Sequence, residues 1–139
     1  MQFALTGKAT GATTILVVDD DEDFREVIAA ILEKAGYDVL EAPNGAEAAA
    51  ILDRRPGAVD LLITDIQMPK MTGAQLIECV LRLHPLTRVL CVSGEPPDAA
   101  LPASTPFLRK PFDRKSLLSK VKEILVEEKI VRAQNVATA

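Results

Sequence analysis

Five polar residues have types and positions that suit the binding of a phosphoryl group together with a divalent cation. Each lies at the end of a short apolar run, and they are Asp19, Asp20, Asp65, Ser93 and Lys110. Carboxylates packed together repel one another and need a cation, and a hard ion such as Mg²⁺ takes oxygen ligands while leaving room for phosphate oxygens. A lysine and a hydroxyl then suit a bound phosphoryl group. Taken singly, each piece also fits a plain role, such as a helix start for the acid run or a surface charge for the lysine.

The apolar runs are predicted to be the strands of one sheet. They predict strands at 15–18, 37–42, 60–64, 87–92 and 105–109. Apolar residues at helical spacing predict helices from 24 to the stop at Gly36, from 44 through 52, from 72 to 83, and from 113 to about 131. Strands alternating with helices indicate right-handed βαβ units and a parallel sheet, whose ligands lie outside the carboxyl ends of the strands. The five polar residues should therefore share one edge of the sheet.

Length and composition fit one domain without a nucleic-acid or membrane surface. The chain has 139 residues, 48% of them apolar, and a net charge of −4. That charge disfavours contact with nucleic acid or an anionic membrane, and no apolar run approaches the ~20 residues of a membrane span. Cys79 and Cys91 form no CxxC pair and the chain has one histidine, so a zinc site is not expected. We expect two reduced thiols in a cytoplasmic protein. We expect a flexible leader over 1–13, a domain over 14–131 and a C-terminal tail over 132–139.

One connection departs from this alternation. Pro96, Pro97 and Pro102 lie between the fourth and fifth predicted strands. Proline removes a backbone donor and clashes inside a helix, so we expect at most one or two helical turns over 95–104.

Four segments together resemble the signature stretches of response-regulator receiver domains. They are ILVVDDDEDF, LLITDIQMPKMTG, VLCVSG and FLRKPF, and EAPNGAEA is similar to the family's second strand and following helix start. The resemblance covers about residues 14–128. It implies an α/β fold, a flavodoxin-like (βα)₅ three-layer sandwich with a parallel five-stranded sheet of order 2-1-3-4-5. The proline-rich connection departs from the family and implies a shortened fourth helix, as in receivers attached to or paired with hybrid sensor kinases.

The resemblance implies a metal-binding role for four residues. Asp65 would be the phosphorylated residue and also a direct Mg²⁺ ligand. Asp20 would be a second direct ligand, and the backbone carbonyl of Gln67 a third. Asp19 would act in the outer sphere of the metal or through water.

Other residues would act on the phosphoryl group. Ser93 and Lys110 would bind its oxygens, so that these two and Asp65 form the catalytic set. Ser93 would also be the switch hydroxyl, with Phe107 as the aromatic residue that responds to it. Gln67 and Glu95 fall where the family tunes the lifetime of the acyl phosphate. The peptide bond after Lys110 is expected to be cis, as is common in receivers.

The implied function is that of a phospho-accepting receiver in a two-component phosphorelay, and not of an enzyme with an external substrate. The donor would be a phosphohistidine on a sensor histidine kinase or a histidine phosphotransfer protein. Phosphorylation would switch the conformation to regulate a downstream protein that the sequence does not name. Ile130 and Val131 extend the apolar face of the last helix, which could therefore also pair with a partner or a second copy.

Two other functions remain open at this point. A haloacid-dehalogenase-type phosphatase also uses a nucleophilic Asp and Mg²⁺, but its DxDx[TV] motif needs Thr or Val where Asp23 stands, and its cap domain does not fit the length. A receiver-shaped interaction module that is never phosphorylated would carry the same fold. A phosphorylation assay with and without the Asp65 carboxylate separates the three.

Overall fold

A parallel sheet runs through the molecule, in a computed structural model that describes residues 12–55, 57–66, 72–94, 101–102 and 104–138. Its strands are β1 (Thr14–Val18), β2 (Asp38–Ala42), β3 (Leu61–Asp65), β4 (Arg88–Ser93) and β5 (Phe107–Arg109). They pair in the order β2-β1-β3-β4-β5, and each pairing is parallel. The predicted flavodoxin-like topology is confirmed.

Four helices connect and cover the strands in the described part of the chain. They are α1 (Glu22–Lys34), α2 (Gly45–Arg54), α3 (Gly73–Leu83) and α4 (Arg114–Thr138). The first three begin at a side chain that accepts a hydrogen bond from the backbone amide three residues on, and these capping residues are Asp21, Asn44 and Thr72. Each cap satisfies an amide that has no partner within its helix. None of the helices, over these described ranges, has the combined length and hydropathy to cross a bilayer.

Alternate residues of the strands fill two hydrophobic cores, one on each face of the sheet. One face packs against α2 and α3, and its buried residues include Leu16, Leu62, Cys91, Leu52 and Ile77. The other face packs against α1 and α4, and its buried residues include Ile15, Ile63, Leu90, Leu32 and Leu117. Strands β1, β3 and β4 are covered on both faces, which is why their sequences are nearly continuous apolar runs. The two cores hold these strands side by side, so their carboxyl ends meet at one edge.

Two predicted boundaries are wrong. Helix α4 continues to Thr138 rather than ending near Val131, so the predicted tail is helical up to that residue. No glycine or proline lies between 112 and 139 to stop the helix. Strand β5 begins at Phe107 rather than Thr105, because the Thr105 amide and hydroxyl bond back to the Pro102 carbonyl at 3.2 and 2.6 Å.

The described residues include only part of the connection between β4 and β5. Residues 101–102 and 104–106, which the structure describes, form no helix. Residues 95–100 and 103 lie outside the described residues, and so does the predicted leader up to residue 11.

Candidate functional site

Three carboxylates meet where β1 and β3 end. The register pairs Val18 with Thr64, so Asp19 and Asp65 follow next to each other on neighbouring strands. One carboxylate oxygen from each of Asp19, Asp20 and Asp65 lies within 4.8 Å of the others. Asp19 is buried, Asp65 is half-buried and Asp20 is exposed, so the cluster is reachable from solvent. The structure thus brings together the three acids that the strand ends placed at one edge.

Lys110 brings its ammonium group to two of these acids. Its Nζ lies 3.2 Å from Oδ2 of Asp19 and 3.1 Å from Oδ2 of Asp65. Its backbone amide donates to the Ser93 carbonyl at 2.7 Å, which ties the end of β5 to the end of β4. The Lys110–Pro111 peptide bond is cis, as predicted.

Burial and charge act in opposite directions on these groups. Burial raises the pKa of the Asp19 carboxyl, and the hydrogen bond from the Asp21 amide and the charge of Lys110 offset this only in part. Burial alone would lower the pKa of Lys110, but the charges and hydrogen bonds of Asp19 and Asp65 outweigh it, so the pKa is raised. The lysine is therefore charged at neutral pH. One ammonium against three acids leaves an excess of negative charge at this edge when all three are ionised.

Local hydrogen bonds fix the backbone at Asp19, the first residue after β1. Oδ1 of Asp19 accepts the Asp21 amide at 2.9 Å, and Asp21 in turn caps α1. Arg25, near the start of α1, donates from Nη1 to the Asp19 carbonyl at 2.8 Å and from Nε to Glu41 at 3.0 Å. Sequence reasoning missed Arg25, because a single arginine after an acid run has no distinguishing pattern.

An aromatic ring also contacts the lysine. The Lys110 Nζ lies over the ring of Phe24, 4.0 Å from its centroid. The Phe24 ring meets Phe112 edge-on, with centroids 5.9 Å apart and ring planes at 76°. Helical spacing assigned Phe24 only to the apolar face of α1, where it also packs. The available signal was its position in the first turn of α1, beside the acid run.

Ser93 and Phe107 lie on the same side of the sheet. Ser93 is buried at the end of β4. The register pairs Cys91 with Phe107, and residues two apart on a strand point to the same face, so Ser93 and Phe107 share that face. Phe107 is half-buried and packs against the core beneath α2 and α3. The two residues that the resemblance assigned to the switch therefore lie on neighbouring strands and on one face of the sheet.

The donors of the cluster fit a hard divalent cation. Among the described residues, this is the one group of three or more acid, histidine or cysteine side chains close enough to share an ion. All its donors are carboxylate oxygens, the ligands that Mg²⁺ takes, and the excess negative charge favours a cation. Gln67 and Glu95, the other predicted residues of the site, lie outside the described residues.

Comparison with known proteins adds independent support for the family. A family model described as "Response regulator receiver domain" matches residues 15–122. The chain is 37% identical to the sensor kinase CckA of Brucella abortus (strain 2308) over 124 residues, which are 86% of this chain and 13% of that protein. It is 34% identical to the response regulator receiver protein CpdR of the same strain over 117 residues, which are 81% of this chain and 96% of CpdR. The crystal structure of the receiver domain from the hybrid histidine kinase CckA aligns with a TM-score of 0.71 and 37% identity, covering 81% of this chain and 98% of that one.

The matched range contains the three-carboxylate cluster and the sheet, apart from the first residue of β1. It begins in β1 and ends in the first half of α4, so it takes in Asp19, Asp20, Asp65, Ser93 and Lys110. The chain spans nearly all of CpdR and a small part of the sensor kinase CckA. By sequence and by fold, the chain belongs to the response regulator receiver domain family.

Proposed function

We propose that this receiver domain accepts a phosphoryl group on Asp65 from a phosphohistidine donor, with Mg²⁺ as the cofactor. The observation that carries the proposal is the Lys110 ammonium, 3.1 Å from Asp65 and 3.2 Å from Asp19 beside the three-carboxylate cluster. A nucleophilic carboxylate next to a fixed cation can receive a phosphoryl group, because the cation offsets the charge that builds up on the phosphoryl oxygens. The reachable side of the cluster gives a donor access.

The transfer forms one bond and breaks one bond. A carboxylate oxygen of Asp65 attacks phosphorus in line with the leaving group, and the P–N bond of the donor breaks with its electron pair remaining on the imidazole nitrogen. Lys110 neutralises charge on the equatorial oxygens through its ammonium. After the transfer, the Ser93 hydroxyl donates a hydrogen bond to a phosphoryl oxygen, which couples the chemistry to β4.

The acids divide the binding of the metal between them. Asp20 and Asp65 would hold Mg²⁺ directly together with the Gln67 carbonyl, and Asp19 would act in its outer sphere or through water. When bound, the ion supplies further positive charge to the phosphoryl oxygens. We expect weak affinity, because several waters stay on the ion.

The partners follow from the chemistry of the donor. A sensor histidine kinase or a histidine phosphotransfer protein would supply the phosphohistidine, and a downstream protein of unknown identity would respond. Self-phosphorylation from a small donor and autodephosphorylation are the only reactions that we assign to the chain itself. Cys79 and Cys91 form no disulfide within the described residues, which suits the reducing cytoplasm as the place of this exchange.

An intact-mass assay with acetyl phosphate tests the proposal. The purified chain is incubated with the donor in MgCl₂ or in EDTA, and its mass is measured. We expect a gain of one phosphoryl group in MgCl₂ and none in EDTA. Asp65→Asn should show no gain, because the nucleophile is gone while the side-chain volume is kept.

Asp60→Asn is the matched control. Asp60 lies just before the opposite end of β3 and accepts the Thr14 amide at 2.9 Å, a bond that an Asn oxygen also makes. This variant should be phosphorylated like the wild type. A full mass gain in Asp65→Asn would contradict the assignment. Repeated turnover of a phosphate ester would indicate a phosphatase, and a wild type that gains no mass would indicate an unphosphorylated interaction module.

We also propose the last helix as a pairing surface for a partner or a second copy. Val126 of α4 is exposed, and the backbone of the helix continues to Thr138. Ile130 and Val131, which motivate the idea, lie outside the described side chains. Sedimentation of the chain with and without beryllofluoride tests it, because a single monomer mass at high concentration in both states would contradict self-pairing.

A further inference from the structure

Among the described residues, the Lys110 ammonium has a neutral partner, the Phe24 ring, beside two charged ones, Asp19 and Asp65. Its Nζ lies 4.0 Å from the centroid of the Phe24 ring, well inside the ~6 Å over which a cation and an aromatic face attract. The lysine side chain is 23% exposed, so the ammonium is partly shielded from water. A cation–π contact gains strength when it is desolvated in this way.

The charged partners change during the reaction that we propose, and the ring does not. Asp65 loses its carboxylate charge when it becomes an acyl phosphate. The Asp19 carboxylate would also interact with bound Mg²⁺, which would weaken its attraction for the Lys110 ammonium. Phe24 carries no charge that the reaction alters, so its attraction for the ammonium is the same before, during and after transfer.

The ring itself is fixed from two directions. The Phe24 amide donates to Oδ1 of Asp21 at 3.2 Å, which sets its backbone at the first turn of α1. Its ring packs against that of Phe112 in a T-shaped pair, at a centroid distance of 5.9 Å. Since Phe112 follows Lys110 by only two positions, the ring pair attaches the chain just after the lysine to α1.

We propose that Phe24 is a positioning residue for phosphoryl transfer, holding the Lys110 ammonium beside Asp65 with the face of its ring. This role rests on the proposed function of Asp65 as the phospho-acceptor. Phe24 does not touch the phosphoryl group and acts through the lysine alone. Neither the acid run nor the helical spacing assigns it such a role.

The test compares variants that keep the apolar volume with variants that change the face of the ring. Phe24→Leu removes the aromatic face, Phe24→Tyr keeps it, and Tyr37→Leu is the matched control, since Tyr37 packs against the same core but precedes β2 at the opposite end of the sheet. A series of ring-fluorinated phenylalanines at position 24 weakens the negative face stepwise at nearly constant shape. We measure the rate of phosphorylation by acetyl phosphate in MgCl₂, and the NMR order parameter and ring-current shift of the Lys110 ε-methylene group.

We expect Phe24→Leu to be phosphorylated about threefold to tenfold more slowly than the wild type, as for the loss of a partly desolvated cation–π contact. The Lys110 ε-methylene should lose its ring-current shift and become more mobile. Phe24→Tyr and Tyr37→Leu should both keep a rate near that of the wild type, and the rate should fall with each added fluorine.

Three results would overturn the proposal. The first is a Phe24→Leu rate equal to that of the wild type. The second is a flat fluorine series, because a slower Phe24→Leu would then reflect shape and not the charge of the ring. The third is an unchanged order parameter of Lys110 in Phe24→Leu. This last readout needs no phosphoryl donor, so it judges the holding of the lysine even if the wild type gains no phosphoryl group, which would refute the proposed function instead.

Discussion

Removing the charge of Lys110 should destabilise the protein, and Mg²⁺ should restore much of the loss. Lys110→Met keeps a long apolar side chain against Phe24 but takes away the ammonium. Asp19, whose side chain is only 1% exposed, then faces Asp20 and Asp65 without a cation. The perturbation therefore isolates the charge and spares most of the packing.

The size of the effect follows from the distances. At 3.2 and 3.1 Å and an effective dielectric constant of about 20, each contact is worth about 5 kcal/mol in Coulomb energy before any desolvation is counted. Breaking a buried pair by removing one partner typically costs about 3–5 kcal/mol. The lysine is 23% exposed and Asp65 13% exposed, so water recovers part of this. We expect Lys110→Met to lose about 2–3 kcal/mol of unfolding free energy in EDTA.

Urea unfolding in EDTA and in MgCl₂ measures this prediction. Lys120→Met is the control, because Lys120 forms a one-turn surface pair with Glu123 at 3.7 Å, and such a pair is worth less than about 0.5 kcal/mol. Added Mg²⁺ should stabilise Lys110→Met more than the wild type, since a divalent ion replaces the missing charge. If both lysine variants unfold at the same urea concentration in EDTA, the electrostatic account of the cluster is wrong.

Three further predictions concern the other residues of the site. Because burial raises the pKa of Asp19, its ionised form costs folding stability without metal, so Asp19→Asn should unfold at higher urea than the wild type at pH 7 in EDTA. That difference should shrink as the pH falls through the raised pKa and vanish below the ordinary value of 3.8, and a difference independent of pH would contradict the assignment. Asp20→Ala should abolish the response to a Mg²⁺ titration followed by NMR, and an unchanged dissociation constant would remove Asp20 from the site. Ser93→Ala should still accept phosphate but lose the amide shifts around Phe107 on adding beryllofluoride, a phosphoryl mimic, and equal shifts in both proteins would refute the proposed switch.

The sequence predicts the reactive edge well because parallel topology turns positions along the chain into neighbours in space. Asp65 and Lys110 are far apart in sequence, yet each ends an apolar run, and parallel strands bring such ends together. The helix starts could be predicted from a local signal, since Asn44 and Thr72 have side chains suited to capping. In both cases the residue that carries the signal adjoins the strand or helix whose end it marks.

Features that depend on contacts between elements could not be predicted in this way. The place of the Phe24 ring under Lys110 depends on how α1 lies on the sheet, and the spacing of apolar residues fixes only which face is buried. The bond from Arg25 to the Asp19 carbonyl depends on the same packing. The end of α4 was misplaced because the apolar spacing fades before the helix does, and helix-permissive residues carry it on to Thr138.

The central claim is that one carboxylate, that of Asp65, carries the phosphoryl group. Borohydride reduction of the acyl phosphate converts the modified aspartate to homoserine, and peptide mass spectrometry then identifies its position. After treatment with acetyl phosphate and Mg²⁺, the account predicts homoserine at position 65 and unmodified aspartate at positions 19 and 20. Homoserine at either of those two positions, or at none of the three in a chain that has gained a phosphoryl group, would contradict it.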